Sequence, residues 1–441
     1  LIPARAKNVV LLAGSLFFYA WGEPRWILLL VASILVTWLL GRAMRPEAGA
    51  GRRRGLLILG LVFQLGLLVT VKYAGFFFGA FIDLPKLHLP LGVSFYTFHA
   101  ISYLVDVYRQ KTPPQKNLLR LGLYLALFPK LVMGPIVPYH ELEPALAQRT
   151  IDAQDVSDGC FRFTIGLAKK ALLADALAGL VTGIWGDLAS LTVLSAWLGL
   201  IGYALQLYFD FSGYSDMAIG LGRMLGFRFP ENFRYPYLCS SISDFWRRWH
   251  ISLGSWFKEY LYFPLGGSRT GTLRTLRNLL LVWLATGLWH GASWNYVLWG
   301  LYFGVLICLE KLLAPRFRAH PRKGLLAGLY RPVCLLLAVL GWVLFRAEDL
   351  PAAGRYFACL FGGAAGASAQ ARLYLHDFWP VLLLGAVGAT PLCAKLAGRL
   401  GAKLQPGVRA AVQAVLVLAL LACSTVWLLN GSFQSFVYFQ F

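Results

Sequence analysis

Acidic side chains are scarce in this chain: Asp and Glu together number 20 in 441 residues, and charged residues of both signs make up 14%. Soluble domains carry about 25% charged residues, so an ordinary water-soluble globule is excluded. Cysteine is sparse too. The seven (Cys160, Cys239, Cys308, Cys334, Cys359, Cys393 and Cys423) are scattered, mostly in apolar sequence, with no CxxC pair. That pattern argues against a disulfide scaffold or a zinc-type centre, and no metal is expected. Also missing are a solenoid, collagen or coiled-coil period and a Gly/Ser linker. One membrane-embedded domain over residues 1–441 is the expectation, with no soluble appendage.

What the chain has instead is apolar sequence, at 58% of residues. A bilayer core of about 30 Å takes roughly 20 apolar residues per helix. The clearest runs are Asn8 to Gly22, Trp26 to Gly41, Gly55 to Tyr73, Leu91 to Val107, Leu191 to Asp210, Leu276 to Trp294, Tyr296 to Leu313, Pro332 to Phe345, Phe378 to Lys395 and Ala410 to Leu429. The fold class is therefore an all-α, polytopic membrane protein with about ten or eleven transmembrane helices. Leu118 to Tyr139 carries Pro129, Lys130 and Pro135, and Phe161 to Trp185 carries Lys169 and Lys170. Lipid-facing helices avoid such residues, so both stretches are expected to be re-entrant or buried against protein. The chain opens on Leu1, and an N-terminal helix is expected to precede it.

The net charge of +21 could suit a nucleic-acid binder, but the basic residues lie between apolar runs rather than among aromatics on a polar domain. The lipid bilayer is the expected partner, not nucleic acid. Arg42, Arg45, Arg52, Arg53 and Arg54 fill one loop, Arg109, Lys111, Lys116 and Arg120 another, and Arg316, Arg318, Arg322, Lys323 and Arg331 a third. The positive-inside rule makes these cytoplasmic.

Polar residues enter apolar sequence most densely in the middle third. Asp210 and Asp216 stand in YFDFSGYSDMAIGLGRMLGF, with Asn232 in the following PENFRYPY. They are either site residues or helix caps and partners of arginines. Residues 241–267 read as one amphipathic helix. Asp244, Arg248, Ser255 and Glu259 fall on one side, and Trp246, His250, Leu253 and Phe257 on the other; Ser243 or Asp244 can cap its start. His250 is either a reactive group or a hydrogen-bonded packing residue beside tryptophans. His290 lies in the apolar run LLLVWLATGLWHGASWNYVLWGLYFG, flanked by Gly287 and Gly291, which permit close approach of a substrate or another backbone. A neutral buried imidazole can act as a general base. It can equally join two helices or pass a proton. A proton-coupled secondary transporter using Asp210, Asp216, His250 and His290 is the rival reading, although no internal repeat supports it.

The segments GVSFYTFHAISYLVDVYR, LFPKLVMGPIVPY, YFDFSGYSDMAIGLGRMLGFRFPENF, SISDFWRRWHISLGSWFKEYLYFPLGG, TGLWHGASWNYVLWGLYFG and GWVLFRA resemble those of the membrane-bound O-acyltransferase family, in the bacterial branch that contains alginate O-acetyltransferases. The resemblance implies spans arranged around a central tunnel, with re-entrant or interfacial helices, in a bacterial cytoplasmic (inner) membrane. It implies an O-acyltransferase whose family histidines map onto His290 and His250. The implied donor is acetyl-CoA or another acyl thioester, with no tightly bound cofactor. The implied acceptor is an extracytoplasmic polysaccharide, reached through a periplasmic or extracellular SGNH-type partner. Arg247 and Arg248 are expected to meet donor phosphates. In the aromatic C-terminal stretch SFQSFVYFQF the resemblance makes Tyr438 a candidate acyl relay, the plainer role being an interfacial anchor, and the stretch is expected to fold back onto the protein.

A reporter fused after Arg54 or Arg322 is expected to read as cytoplasmic, and one fused after Phe441 as external. Labelling of Arg53→Cys by an impermeant thiol reagent from outside would overturn this topology.

Overall fold

The computed structural model describes residues 6–78, 89–269, 271–319, 325–431 and 436, and among them the secondary structure is helical, with no strand. The chain divides into two compact units, Leu1–Cys160 with Ala218–Pro230, and Phe161–Met217 with Glu231–Phe441.

In the first unit the helix Val93–Tyr108 is the centre: nearly every side chain is buried, including Ser94, Thr97, His99, Ser102 and Asp106. Helices Ile27–Ala43 and Ala50–Leu68 pack on it. They approach closely because glycines face bulk: the Tyr103 ring fills the space a Cβ on Gly41 would take, and Leu104 does so at Gly60. Gln64 joins the two outer helices by donating to Thr37 Oγ1 at 2.9 Å while accepting from Ser33 Oγ at 3.1 Å. The Leu118 to Tyr139 stretch is, as expected, buried: it forms two short helices, Leu118–Ala126 and Phe128–Leu131, whose residues are mostly inaccessible. Lys130 is fully buried there, its Nζ 4.4 Å from the Tyr124 ring centre. Burial drives this amine toward its neutral form.

The second unit is built on the 32-residue helix Val193–Met224, which continues into the first unit after Met217. The apolar run expected to stop at Asp210 therefore does not stop: Asp210 and Asp216 lie inside this helix, not at its end, so neither is a cap. Helices Thr272–His290 and Trp294–Ala319 form a tight hairpin. Gly287 lies against the backbone of Tyr296 and Gly300, and Gly300 against Trp283 O. A Cβ at either position would push the two helices apart.

Among the described residues five helices are long and apolar enough to cross a bilayer: Ala50–Phe77, Val193–Met224, Trp294–Leu313, Gly328–Arg346 and Pro406–Asn430. Among the described residues the bent pair Ala369–Gly388 and Leu392–Gly401, at 67°, gives a sixth if it counts as one span. Ten or eleven were expected. The difference has local causes: Lys7–Gly22 and Val93–Tyr108 have 16 residues each, short of a full crossing, and Thr272–His290 opens with Arg274 and Arg277. The run from Phe378 to Lys395 is broken at Thr390 and Pro391. Leu418 and Leu429 on Pro406–Asn430 are exposed, as suits a helix that faces lipid. The chain is a multi-pass membrane protein.

Candidate active site

The segment 241–267 does not form the single amphipathic helix its periodicity suggests. It runs as a short helix Ile242–Trp246, a break, a helix Ile251–Phe257 and a wider π turn Lys258–Tyr262. The break falls at His250, whose φ of 45° lies in the left-handed region, a conformation that costs a non-glycine residue of the order of 1–3 kcal/mol. Asn232 explains it. Its backbone oxygen accepts from Ile251 N at 3.0 Å, and its Oδ1 accepts from Ser252 N at 3.1 Å and Ser252 Oγ at 3.0 Å. The short helix before the break is capped by Ser241 Oγ, which accepts from Asp244 N at 2.9 Å, not by Ser243 or Asp244. Glu310, distant in sequence, accepts from Ile242 N, Ser243 N and Ser243 Oγ at 2.6–2.8 Å. An acid in the apolar stretch LICLEKLL was a visible signal for such a role, and it was missed.

His250 Nδ1 lies 3.2 Å from the same Asn232 Oδ1. Because the Ser252 N–H can only donate, the Asn232 atom facing it is the oxygen, so Nδ1 must carry the ring proton and Nε2 the lone pair. The ring is buried, with Phe211 edge-on at 4.6 Å. Burial pushes its pKa down to about 3, so it is neutral at physiological pH. It lines a cavity of about 390 Å³ together with Trp246, Arg247, Lys258, Trp283 and Thr286.

His290 ends the helix Thr272–His290 and is buried. Its ring meets Trp289 at 4.9 Å, Trp299 at 4.9 Å and Phe345 at 5.2 Å, all nearly edge-to-face. Trp289 also faces His250, at 6.2 Å. The structure thus brings both histidines onto one indole. The room left by Gly287 and Gly291 is taken by protein: the Tyr296 backbone beside the first and the Tyr296 ring beside the second.

The other sequence candidates separate from this pair. Asp244 accepts from Ser240 N at 2.9 Å and from Arg248 Nε at 3.0 Å. Arg248 is thereby engaged, whereas the Arg247 side chain is 71% exposed on the rim of the cavity, with Asp244 Oδ1 at 3.7 Å. Asp210 is ion-paired with Lys170, which also pairs with Asp175, both at 2.7 Å. Asp216 holds Lys169 at 2.6 Å and Arg162, whose guanidinium also reaches Glu231. Lys170 and Tyr214 receive Phe436, 4.6 Å and 5.1 Å from its ring centre; the rest of the SFQSFVYFQF stretch, on which the fold-back expectation falls, lies outside the described residues. Tyr438 lies outside the described residues. Among the described residues no cluster of His, Cys, Asp or Glu could hold a metal ion.

Residues 16–327 match the model of the membrane-bound O-acyltransferase family. The chain is 43% identical over 371 residues to the probable alginate O-acetylase of Pseudomonas aeruginosa, covering 81% of this chain and 70% of that protein. It is 36% identical over 394 residues to the peptidoglycan O-acetyltransferase of Helicobacter pylori, covering 80% and 74%. Identity to the teichoic acid D-alanyltransferase of Bacillus subtilis is 29% over 249 residues, covering 52% and 62%.

The lowered pKa of His250 has a measurable consequence. The stability it lends is fully present above the unfolded value of about 6.5 and is lost as pH falls toward the folded value, by roughly 1.4 kcal/mol per pH unit. The stability advantage of the wild type over His250→Gln should shrink by about 2 kcal/mol between pH 7.5 and pH 5 in detergent solution. An advantage that does not change with pH would refute the neutral assignment.

Proposed function

The chain belongs to the membrane-bound O-acyltransferase family, and from that premise we propose that it moves acetyl from a cytoplasmic thioester toward an extracytoplasmic polysaccharide. It is an O-acyltransferase, which sets the transporter reading aside. The observation that carries the chemical proposal is the pair of buried histidines against Trp289, one of them lining a cavity. Acetyl is favoured over D-alanyl because the two acetyl-transferring relatives match over about four fifths of the chain, whereas the D-alanyltransferase matches over 52%.

In the proposed reaction a ring nitrogen of His290 takes the proton of the acceptor hydroxyl as that oxygen attacks the thioester carbonyl. The C–S bond then breaks, the sulfur leaves with its electron pair, and the proton on His290 passes to the thiolate. A positioned base contributes about 10²- to 10⁴-fold. His250, with its only N–H directed to Asn232, has no second hydrogen to give a developing oxyanion. Its role is to orient a reactant hydrogen through the Nε2 lone pair. Arg247, with Lys258 on the same cavity, is suited to phosphates of acetyl-CoA or of a carrier-borne thioester; Arg248 shapes the helix start through Asp244. Asp210, Asp216 and Asn232 act as structural partners. The donor is a substrate, not a tightly bound cofactor. The proposed setting is the bacterial cytoplasmic membrane, with an SGNH-type partner outside and Tyr438 as acyl relay to it, since a phenyl ester is more reactive toward a serine than an alkyl ester.

Transfer from radiolabelled acetyl-CoA in proteoliposomes should fall about 10²- to 10⁴-fold in His290→Ala, with expression close to wild type, and only partly in His250→Ala. Near-normal turnover in the first variant sinks the mechanism; an active His290→Ala beside a dead His250→Ala exchanges the two roles. Tyr438→Phe, which keeps the ring, should abolish polysaccharide acetylation in cells. Wild-type acetylation there would leave the tail an anchor only.

A further inference from the structure

The first unit contains a hollow of about 1200 Å³ that the chemistry above does not use. Its lining includes Arg42, Arg45, Arg52 and Lys116 against one carboxylate, Glu47. Among the described residues none of these four cations is in an ion pair. Arg53, next to Arg52 in the helix Ala50–Leu68, shows the contrast: its guanidinium donates to Tyr108 O and lies 5.7 Å from the Tyr108 ring centre. Arg42 is laid on Trp38 at 5.1 Å, which orients its guanidinium without neutralising it.

The walls are fixed in advance. Gln115 anchors the opposite side by donating from its backbone to Tyr103 OH at 2.9 Å and from its side chain to Tyr139 OH at 2.8 Å. Pro113 and Pro114 line the hollow beside it with restricted backbones. The positive-inside rule accounts for a basic loop. It does not account for a concave arrangement of cations without counter-ions, held between anchored walls.

We propose that this hollow binds a phosphate-bearing ligand. Guanidinium groups recognise phosphate oxygens bidentately, and the volume exceeds that of most small-molecule pockets, which run to about 1,000 Å³. Room therefore exists for a phosphate ester with a body attached, either an anionic lipid headgroup or the phosphates of a nucleotide. The assignment rests on the hollow alone and does not depend on the acyl-transfer reading.

Thermal unfolding of the detergent-purified full chain tests it with two probes: adenosine 3′,5′-bisphosphate, and short-chain phosphatidylglycerol compared with phosphatidylcholine. Saturable stabilisation by the bisphosphate identifies a nucleotide-type ligand, and saturable stabilisation by phosphatidylglycerol beyond phosphatidylcholine identifies a lipid. The apparent affinity for the active probe should fall at least tenfold in Arg42→Gln/Arg45→Gln/Arg52→Gln and several-fold in Lys116→Gln on the facing wall. It should be unchanged in Arg399→Gln and in His290→Ala, the latter separating this site from the catalytic proposal. No saturable response to either probe, or wild-type affinity in both the triple variant and Lys116→Gln, would overturn the site.

Discussion

One side-chain oxygen, Oδ1 of Asn232, sets the geometry of the histidine segment. Ser252 N, Ser252 Oγ and His250 Nδ1 all converge on it within 3.2 Å, and the backbone oxygen of the same residue takes Ile251 N. In a buried, apolar setting each donor left without an acceptor costs about 1–3 kcal/mol. Satisfying them on one residue offsets the left-handed strain at His250. The helix break, the orientation of the ring toward Phe211 and Trp289 and the choice of tautomer follow from that one arrangement. A continuous helix through 247–250 would lose all of them.

The same rule governs the charges in the second unit. Lys170 is buried yet sits between Asp175 and Asp210, and Asp216 gathers Lys169 and Arg162. Ionised groups persist in a low-dielectric interior only when paired and hydrogen-bonded. Two carboxylates within an apolar run, which invite comparison with a proton pathway, are thus the counter-ions of lysines from the Phe161 to Trp185 stretch. Lys170 also meets the Phe436 ring, at 4.6 Å.

Local chemistry was legible in the sequence; long-range capture was not. Apolar runs, the basic loops and the unusual His290 are properties of neighbouring residues, and the helical class follows from them. The burial of Lys130 and Lys170 was foreseeable because lipid-facing helices avoid lysine. The break at His250 was hidden because its cause, Asn232, is 18 residues away. Glu310 caps Ile242–Trp246 from 68 residues away, which no reading of the segment itself could supply. Hydropathy also misplaced lengths. Val193–Met224 carries its polar residues on a helix otherwise apolar enough to continue, while Val93–Tyr108 is apolar because protein, not lipid, surrounds it.

The contrast between the two histidines bears on why a site of this kind suits acyl transfer. His250 is tied to an amide oxygen, a partner that fixes a tautomer without adding negative charge. The His290 ring meets Trp289, Trp299 and Phe345 in nearly edge-to-face pairs. An aromatic surround limits the water that would hydrolyse a thioester. On the proposed chemistry, selectivity for an alcohol over water comes from this apolar enclosure rather than from an unusually strong base.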